Sequence, residues 1–268
     1  MPDFKVLTAG DTALVVEFGE TVDRKLSTFV LALARGLDDL RLDGIVETVP
    51  TFRSLMVHYD PLVIPAATLV ARIEGLMAGL PVAEFVSRAW RLPVCYDAVL
   101  APDLADVAAR TGLTPAQVIE LHSAVTYHVY MLGFLPGLAY MGDVPAELAL
   151  SRRETPRQRI PAGSVAIATT MSIIFPRESP TGWHVIGRSP VPLWRRPPSS
   201  MEFAPAPSDG PGAAPNAASG AGGGALLAPG DKVTFVPVSL REFEGLSARA
   251  AAGALDVLPV NAPRGAAA

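Results

Sequence analysis

Two arginines placed two positions apart are the first residues of this chain whose spacing could do chemistry. Arg157 and Arg159 lie in "TPRQRIPAGS", and in a strand this spacing puts both side chains on one face. Two guanidinium groups on one face suit a carboxylate or a phosphate, which arginine binds through paired hydrogen bonds. A solvated strand edge, where charges discourage aggregation, has the same pattern. The spacing therefore predicts an anion site or a charged edge.

Other groups that could transfer protons lie on either side of this pair. Glu178 and Ser179 stand between two prolines in "FPRESPTGWHVIG", so a carboxylate is held on a restricted turn. It could act as a base, pair with the arginines or cap the turn. His122 and His128 titrate in a range that suits proton transfer, and structural histidines are the alternative.

The stretch "LHSAVTYHVYMLGFLPGLAYMG", from Leu121 to Gly142, contains no Asp, Glu, Lys or Arg. About 20 apolar residues can span a bilayer as a helix, but Gly133, Pro136 and Gly137 interrupt the most hydrophobic part and favour a turn at "GFLPG". Irregular backbone exposed to lipid leaves polar groups unsatisfied. We therefore expect no membrane span, and a buried core and the wall of a site remain the alternatives.

Composition restricts the class of protein. The chain has 268 residues, is 50% hydrophobic and carries 22 Lys+Arg against 26 Asp+Glu. It can bury a sizeable core, and its lack of basic excess argues against nucleic acid and anionic membranes as partners. Cys95 is the only cysteine, which excludes an internal disulfide and a Cys-x-x-Cys zinc site. No signal peptide is recognisable at the start, and we expect a cytoplasmic protein.

Common catalytic motifs are missing from the sequence. It has no Gly-x-x-x-x-Gly-Lys-Ser/Thr phosphate loop, no His-Glu-x-x-His and no Gly-x-Ser-x-Gly. Nucleotide, zinc and serine-hydrolase interpretations therefore receive no direct support.

Hydrophobic periodicity predicts an α+β fold in two parts. Residues 1–90 give the order ββαββα, with a boundary between 85 and 95. Residues 91–245 begin with two short helices, the second with Thr114 as N-cap, Pro115 at N1 and Gln117 in a capping box. Short β-branched runs then predict a barrel or sandwich. We expect a flexible insertion at about 197–228 and a disordered tail at 246–268, because both are rich in Ala, Gly or Pro.

Several of these segments closely resemble one family. The motifs are "GDTALVVEFG", "PTFRSLMVHYDP", "VYMLGFLPGLAYMGDVP", "TPRQRIPAGSVAIA", "FPRESPTGWHVIGRSPVPLW" and "LAPGDKVTFVPV". They are similar, in the same order, to the B subunit of 5-oxoprolinase, also described as allophanate hydrolase subunit 1 or the kinase-inhibitor family. The resemblance implies a small α/β N-terminal domain followed by a cyclophilin-like β-barrel.

The resemblance also implies a function. Such a chain works with the A and C subunits of 5-oxoprolinase to open the lactam 5-oxo-L-proline to L-glutamate at the expense of ATP, which we expect to bind through the complex. No metal or biotin is expected on this chain. Alternatives within the family are an inhibitory protein that binds a histidine kinase, and a carboxyltransferase or amide hydrolase component of urea or allophanate degradation.

The resemblance carries over to individual residues. It implies His122, Glu178 and Ser179 as catalytic or proton-transfer groups. Substrate-binding residues would be Tyr127, Tyr140, Arg157 and Arg159.

One segment departs from the family pattern. Where members typically have "GGQTGIYP", this chain has "TTMSIIFP", so Thr169 to Ile173 replace two glycines, a glutamine, a threonine and another glycine. Thr181 also replaces a glycine of "SPGGW". Glycine allows positive φ and close backbone approach, and glutamine is both donor and acceptor. We expect a remodelled pocket with an altered substrate or reduced activity. The ending "ALDVLPVNAPRG" resembles the start of the C subunit in fused members, with an Ala-rich disordered end as the alternative.

Overall fold

The computed structural model describes residues 2–80, 87–195 and 224–260. These residues form two compact units, the first over 2–80 and the second over 87–195 and 224–260. Most of the predicted insertion, and residues 261–268 of the predicted tail, lie outside the described residues.

The first unit is a four-stranded antiparallel sheet with two helices, in the predicted order ββαββα. Its sheet has the order β1-β2-β4-β3. The elements are β1 (Phe4–Thr8), β2 (Ala13–Phe18), α1 (Arg24–Leu40), β3 (Ile45–Pro50), β4 (Ser54–Tyr59) and α2 (Ala66–Gly79).

Local sequence explains where the helices of the first unit begin. The side chain of Asp23 accepts hydrogen bonds from the amides of Lys25 and Leu26 and so caps α1. Pro65 precedes α2 at the N-cap, where the backbone donor that proline lacks is not needed. The apolar stripe of α1 packs with the sheet and α2 into one core, which includes Leu33 and Leu37.

The second unit is built on a seven-stranded mixed sheet of the order β12-β9-β10-β7-β6-β15-β5. Among its described strands, only the pair β15–β5 is parallel. The strands of this sheet are β5 (Ala89–Val94), β6 (Thr126–Leu132), β7 (Ala139–Gly142), β9 (Ser164–Ala168), β10 (Met171–Ile174), β12 (His184–Arg188) and β15 (Lys232–Pro237). Shorter strands pair separately: β8 (Arg157–Ile160) with β11 (Ser179–Thr181), and β13 (Trp194–Arg195) with β14 (Gly224–Ala225).

The two edge strands of the large sheet meet at one end and close it into a barrel. Cys95, just after β5, and Arg188, at the end of β12, form an antiparallel bridge. Each amide donates to the other carbonyl, with N···O distances of 2.8 and 2.9 Å. Gly187 allows this approach, because a Cβ there would lie 2.8 Å from Cγ1 of Val94. The predicted α+β class and the barrel in the second part are thus confirmed.

Three α-helices accompany the barrel in the described residues, α3 (Leu104–Thr111), α4 (Pro115–Ala124) and α5 (Leu240–Ala251), together with a short 3-10 helix at Ala146–Leu148. The capping box predicted at Thr114 and Gln117 is present at the start of α4.

Helix α5 differs from the disordered tail predicted to start at residue 246, because it continues to Ala251. A capping box of Ser239 and Glu242 begins the helix, and the buried ring of Phe243 anchors it. The guanidinium of Arg188 lies 5.8 Å from the centre of that ring. The high alanine content that suggested disorder is also the composition of a good helix former.

The uncharged stretch from Leu121 to Gly142 comprises the end of α4, strand β6, a turn at "GFLPG" and strand β7. Within the described ranges, no helix is both long enough and apolar enough to cross a membrane.

Candidate functional site

A buried polar cluster surrounds His122 in the core of the second unit. Its Nδ1 lies 2.8 Å from the hydroxyl of Tyr96, and its Nε2 lies 3.1 Å from the hydroxyl of Ser172. Tyr127 donates to the backbone carbonyl of His122 at 2.9 Å. The imidazole is stacked on Phe235, with ring centres 4.7 Å apart. The structure therefore brings the predicted residues His122 and Tyr127 together within the core.

Burial determines the protonation of this cluster. His122 is fully buried, and this lowers its pKa to about 3. Burial likewise raises the pKa of Tyr127, and the negative charge of Asp143 adds a smaller rise. A neutral imidazole whose two nitrogens both have hydroxyl partners is well suited to holding α4, β10 and the strand end at Tyr96 together. A catalytic role for His122 stays a prediction.

Arg157 belongs to a second buried cluster, centred on the carboxylate of Asp103. Arg157 donates to it at 2.5 and 3.1 Å, Arg153 at 2.6 Å and the amide of Val185 at 2.8 Å. Burial alone would raise the pKa of Asp103, but the hydrogen bonds from Arg157 and Val185 and the charges of both arginines lower it. This cluster links the start of α3 to β8 and β12.

Arg159 points to a different carboxylate. It forms an exposed ion pair with Glu178 at 2.6 Å, and Ser179 donates to the carbonyl of Pro180 at 3.0 Å. The structure thus brings Arg159 and Glu178 together but gives Arg157 and Arg159 separate carboxylate partners. Their predicted joint grip on an anion would require at least one of these pairs to open.

Tyr140 lies in a third cluster, with an aromatic ring and a cation. Ala139 and Met141, its neighbours on β7, pack in the barrel core, so strand alternation places Tyr140 on the opposite face. Its ring meets that of Trp183 edge to face, with centres 6.1 Å apart. The guanidinium of Arg152 lies 5.8 Å from the centre of the Trp183 ring.

Charge and burial couple the members of this third cluster. Burial raises the pKa of the Tyr140 phenol, and the positive charge of Arg152 opposes part of that rise. Arg152 is exposed, and it makes no ion pair with any carboxylate in residues 2–80, 87–195 and 224–260, unlike Arg153, Arg157 and Arg159. The exposed guanidinium of Arg152 has the chemistry to bind a carboxylate, whereas the Trp183 ring that it contacts is buried.

The chain matches one protein family over most of its length. The family model for the carboxyltransferase domain, subdomain C and D, covers residues 4–203. The chain belongs to this family.

Relatives of this carboxyltransferase-domain chain extend over nearly its whole length. It is 31% identical over 251 residues to the B subunit of 5-oxoprolinase from Bacillus subtilis (strain 168), covering 90% of this chain and 95% of the relative. It is 35% identical over 228 residues to the B subunit of 5-oxoprolinase from Escherichia coli O157:H7, covering 85% and 93%. The crystal structure of TTHA0988 is 32% identical with a TM-score of 0.68, covering 85% of this chain, which spans only 40% of that longer protein.

The segment that departs from the family's "GGQTGIYP" is the hairpin joining β9 and β10. Thr169 occupies its two-residue turn with φ of +51°, a conformation that glycine adopts without strain and a β-branched residue rarely does. Ser172 keeps a hydroxyl on His122. Met171 is buried and alternates with Ser172, so it lies on the opposite face of β10. Thr169 thus adopts a backbone conformation that favours glycine, Ser172 carries a hydroxyl, and Met171 has no amide group.

Thr181, the second departure from the family pattern, caps the turn before the aromatic pair. Its hydroxyl accepts a hydrogen bond from the amide of Trp183 at 3.0 Å, an interaction that a glycine at this position could not provide.

Arg152 and Trp183 were not among the residues predicted from the sequence. Trp183 follows Glu178 and Ser179 in a segment that was singled out. Arg152 lies in "SRRET", in a loop without periodicity. Only the tertiary structure shows that its partners differ from those of the adjacent Arg153. In the part of the chain that is described, no group of three or more His, Cys, Asp or Glu could hold a metal ion.

Proposed function

We propose that this chain is the B subunit of an ATP-dependent 5-oxoprolinase complex that opens 5-oxo-L-proline to L-glutamate. The observation that carries the proposal is its likeness to two proteins of that name across 95% and 93% of their lengths at more than 30% identity. The A and C subunits of 5-oxoprolinase are the partners this proposal requires.

The cluster of Tyr140, Arg152 and Trp183 supports the proposal with matching chemistry. The substrate is a small five-membered lactam with one carboxylate. Arg152 would bind the carboxylate, and the partly exposed ring of Tyr140 would contact the flat amide ring, with the buried Trp183 ring supporting both side chains. Burial raises the pKa of the Tyr140 phenol, so this side chain adds no negative charge beside the carboxylate.

The reaction explains why ATP and partner proteins are needed. An unstrained amide is a poor electrophile, and transfer of the γ-phosphoryl group of ATP to its oxygen makes the amide carbon more electrophilic. Water then adds to this carbon, and the ring C–N bond breaks as the nitrogen takes up a proton and leaves as the amine. The acyl phosphate that remains is hydrolysed by a second water to the carboxylate and inorganic phosphate. The sequence contains no phosphate loop of the Gly-x-x-x-x-Gly-Lys-Ser/Thr type. We therefore assign nucleotide binding to a partner protein of the complex or a composite interface, and substrate positioning to this chain.

A calorimetric titration tests the proposed site. Arg152→Gln should weaken binding of 5-oxoproline about tenfold or more, because a charge-assisted contact is lost. The same variant should leave binding of 2-pyrrolidinone, the lactam without the carboxylate, unchanged. The matched control is Arg110→Gln, which removes an exposed arginine of α3 in the same unit. Equal 5-oxoproline affinity in Arg152→Gln and Arg110→Gln would contradict this site.

A further inference from the structure

Phe134 occupies an unfavourable position in two respects. Its backbone has φ of +68°, in the left-handed region that bulky residues rarely adopt. Its side chain is 68% exposed, so the strain is not offset by burial of the ring. Glycine would satisfy this backbone conformation without strain, and a polar residue would suit the exposure better. A role outside the folding of this chain is the explanation that fits both features.

Hydrogen bonds of the β6–β7 turn produce the strained backbone. The amide of Leu135 donates to the carbonyl of Gly133 at 2.8 Å, across Phe134. A bond between residues i and i+2 around a positive φ is a γ-turn of the rare, strained form. The amide of Leu138 donates to Leu135 at 3.0 Å and closes a second turn directly afterwards. Two successive turns leave the tip little freedom to relax.

Close packing fixes the turn beside the aromatic cluster. A Cβ on Gly133 would lie 3.9 Å from Cε2 of Tyr140, so the backbone preceding Phe134 borders that ring. On the other side, a Cβ on Gly137 would lie 2.7 Å from the carbonyl oxygen of Leu193. The backbone that carries Phe134 therefore borders the Tyr140 ring on one side and packs closely against the Leu193 backbone on the other.

We propose that Phe134 is a specificity-determining residue whose ring packs against the apolar ring methylenes of a bound lactam. This inference rests on the proposed function, since it takes the Tyr140 cluster as the lactam site. Arg152 would recognise the carboxylate, and Phe134 would favour cyclic amides with an apolar edge over open-chain or strongly polar analogues. The strain at Phe134 would be retained because it directs an aromatic ring towards the ligand and not into the core.

The test compares Phe134→Ala, Phe134→Gly and Phe134→Tyr in the assembly with the A and C subunits. Steady-state ADP release gives KM for 5-oxoproline and kcat separately. Loss of the ring in the Ala and Gly variants should raise KM about tenfold with little change in kcat. Phe134→Tyr keeps an aromatic ring and should have a KM close to that of the wild type. Val99→Ala is the matched control, because it truncates another exposed apolar side chain of the same unit.

Thermal unfolding of the isolated chain supplies a readout that does not depend on activity. Phe134→Gly should melt about 2–4 °C above Phe134→Ala, because only glycine removes the strain.

Each outcome of the kinetic test has a distinct meaning. An active wild-type assembly with an unchanged KM in Phe134→Ala would overturn this inference and leave the proposed function standing. Weaker assembly with either partner protein at an unchanged KM would overturn it in favour of a contact within the complex. An inactive wild-type assembly would remove the proposed function and this inference together.

Discussion

The arginines between residues 152 and 159 have different roles, which depend on the groups that they contact. Arg153 and Arg157 are bound to the buried carboxylate of Asp103, and Arg159 to Glu178, whereas Arg152 lies over the Trp183 ring and has no ion pair among the described residues. The sequence showed a concentration of arginines and the strand spacing of two of them. The sequence could not reveal which arginine has no ion pair among the described residues, because Asp103 lies about 50 residues from the two arginines that it neutralises.

At the same scale, His122 should make the second unit sensitive to acid. Its pKa is about 3 when folded and near 6.5 when unfolded. Above pH 6.5 both states are neutral at this residue, so it adds no pH dependence. Below pH 6.5 the unfolded chain binds a proton that the folded chain does not, so the free energy of unfolding falls by up to about 1.4 kcal/mol per pH unit, until the pH approaches 3.

Denaturant unfolding of wild type and His122→Gln between pH 7 and 4.5 checks this expectation. All three tryptophans lie in the second unit, so their fluorescence reports its unfolding. The variant should be less stable at pH 7. Its unfolding free energy should also change less steeply with pH, because the variant takes up about one proton fewer on unfolding. His58→Gln, in the first unit, should keep the wild-type slope. Equal slopes for wild type and His122→Gln would show that His122 takes up no proton on unfolding in this range.

At the scale of elements, locally determined features were predictable and long-range ones were not. The strands and helices of the first unit, and the capping box of α4, follow from periodicity and from residues within one turn. Closure of the barrel depends on Cys95 and Arg188, which lie far apart in the sequence. The sequence identified Cys95 only as the single cysteine of the chain. Its backbone role at this junction was not predictable, because any residue can form such a bridge.

The junction gives a prediction for Gly187. Gly187→Ala should destabilise the second unit by about 1–3 kcal/mol, because the added methyl group would lie 2.8 Å from Cγ1 of Val94 and 3.0 Å from the carbonyl oxygen of Cys95. Gly245→Ala, in the exposed part of α5, has no atom within 4 Å of the new Cβ and should be neutral or stabilising by up to about 1 kcal/mol. Urea unfolding followed by tryptophan fluorescence measures both variants. Equal stability of the two variants would argue against close packing at this junction.

At the scale of the whole molecule, the family was recognisable from the order of several motifs, and the match over residues 4–203 confirms it. The arrangement of the site was less predictable. Of the predicted residues, His122 and Tyr127 lie in the buried core of the second unit, and Tyr140 lies on the face of β7 opposite to that core. A strand presents alternate residues to opposite faces, and the sequence does not state which face binds a ligand. The replacement of a segment that contains glycine and glutamine by "TTMSIIFP" still predicts an altered pocket. The effect of this change on activity depends on the substrate.

The central proposal is that this chain is a required component of a 5-oxoprolinase. Its most direct test is 5-oxoproline-dependent ADP release by the A and C subunits, measured with and without this chain. We predict release that requires the chain and falls when the Arg152→Gln variant replaces the wild type, but not when Arg110→Gln does. Absence of substrate-dependent release from a complex that assembles stably, or release at the same rate without the chain, would contradict the proposed function.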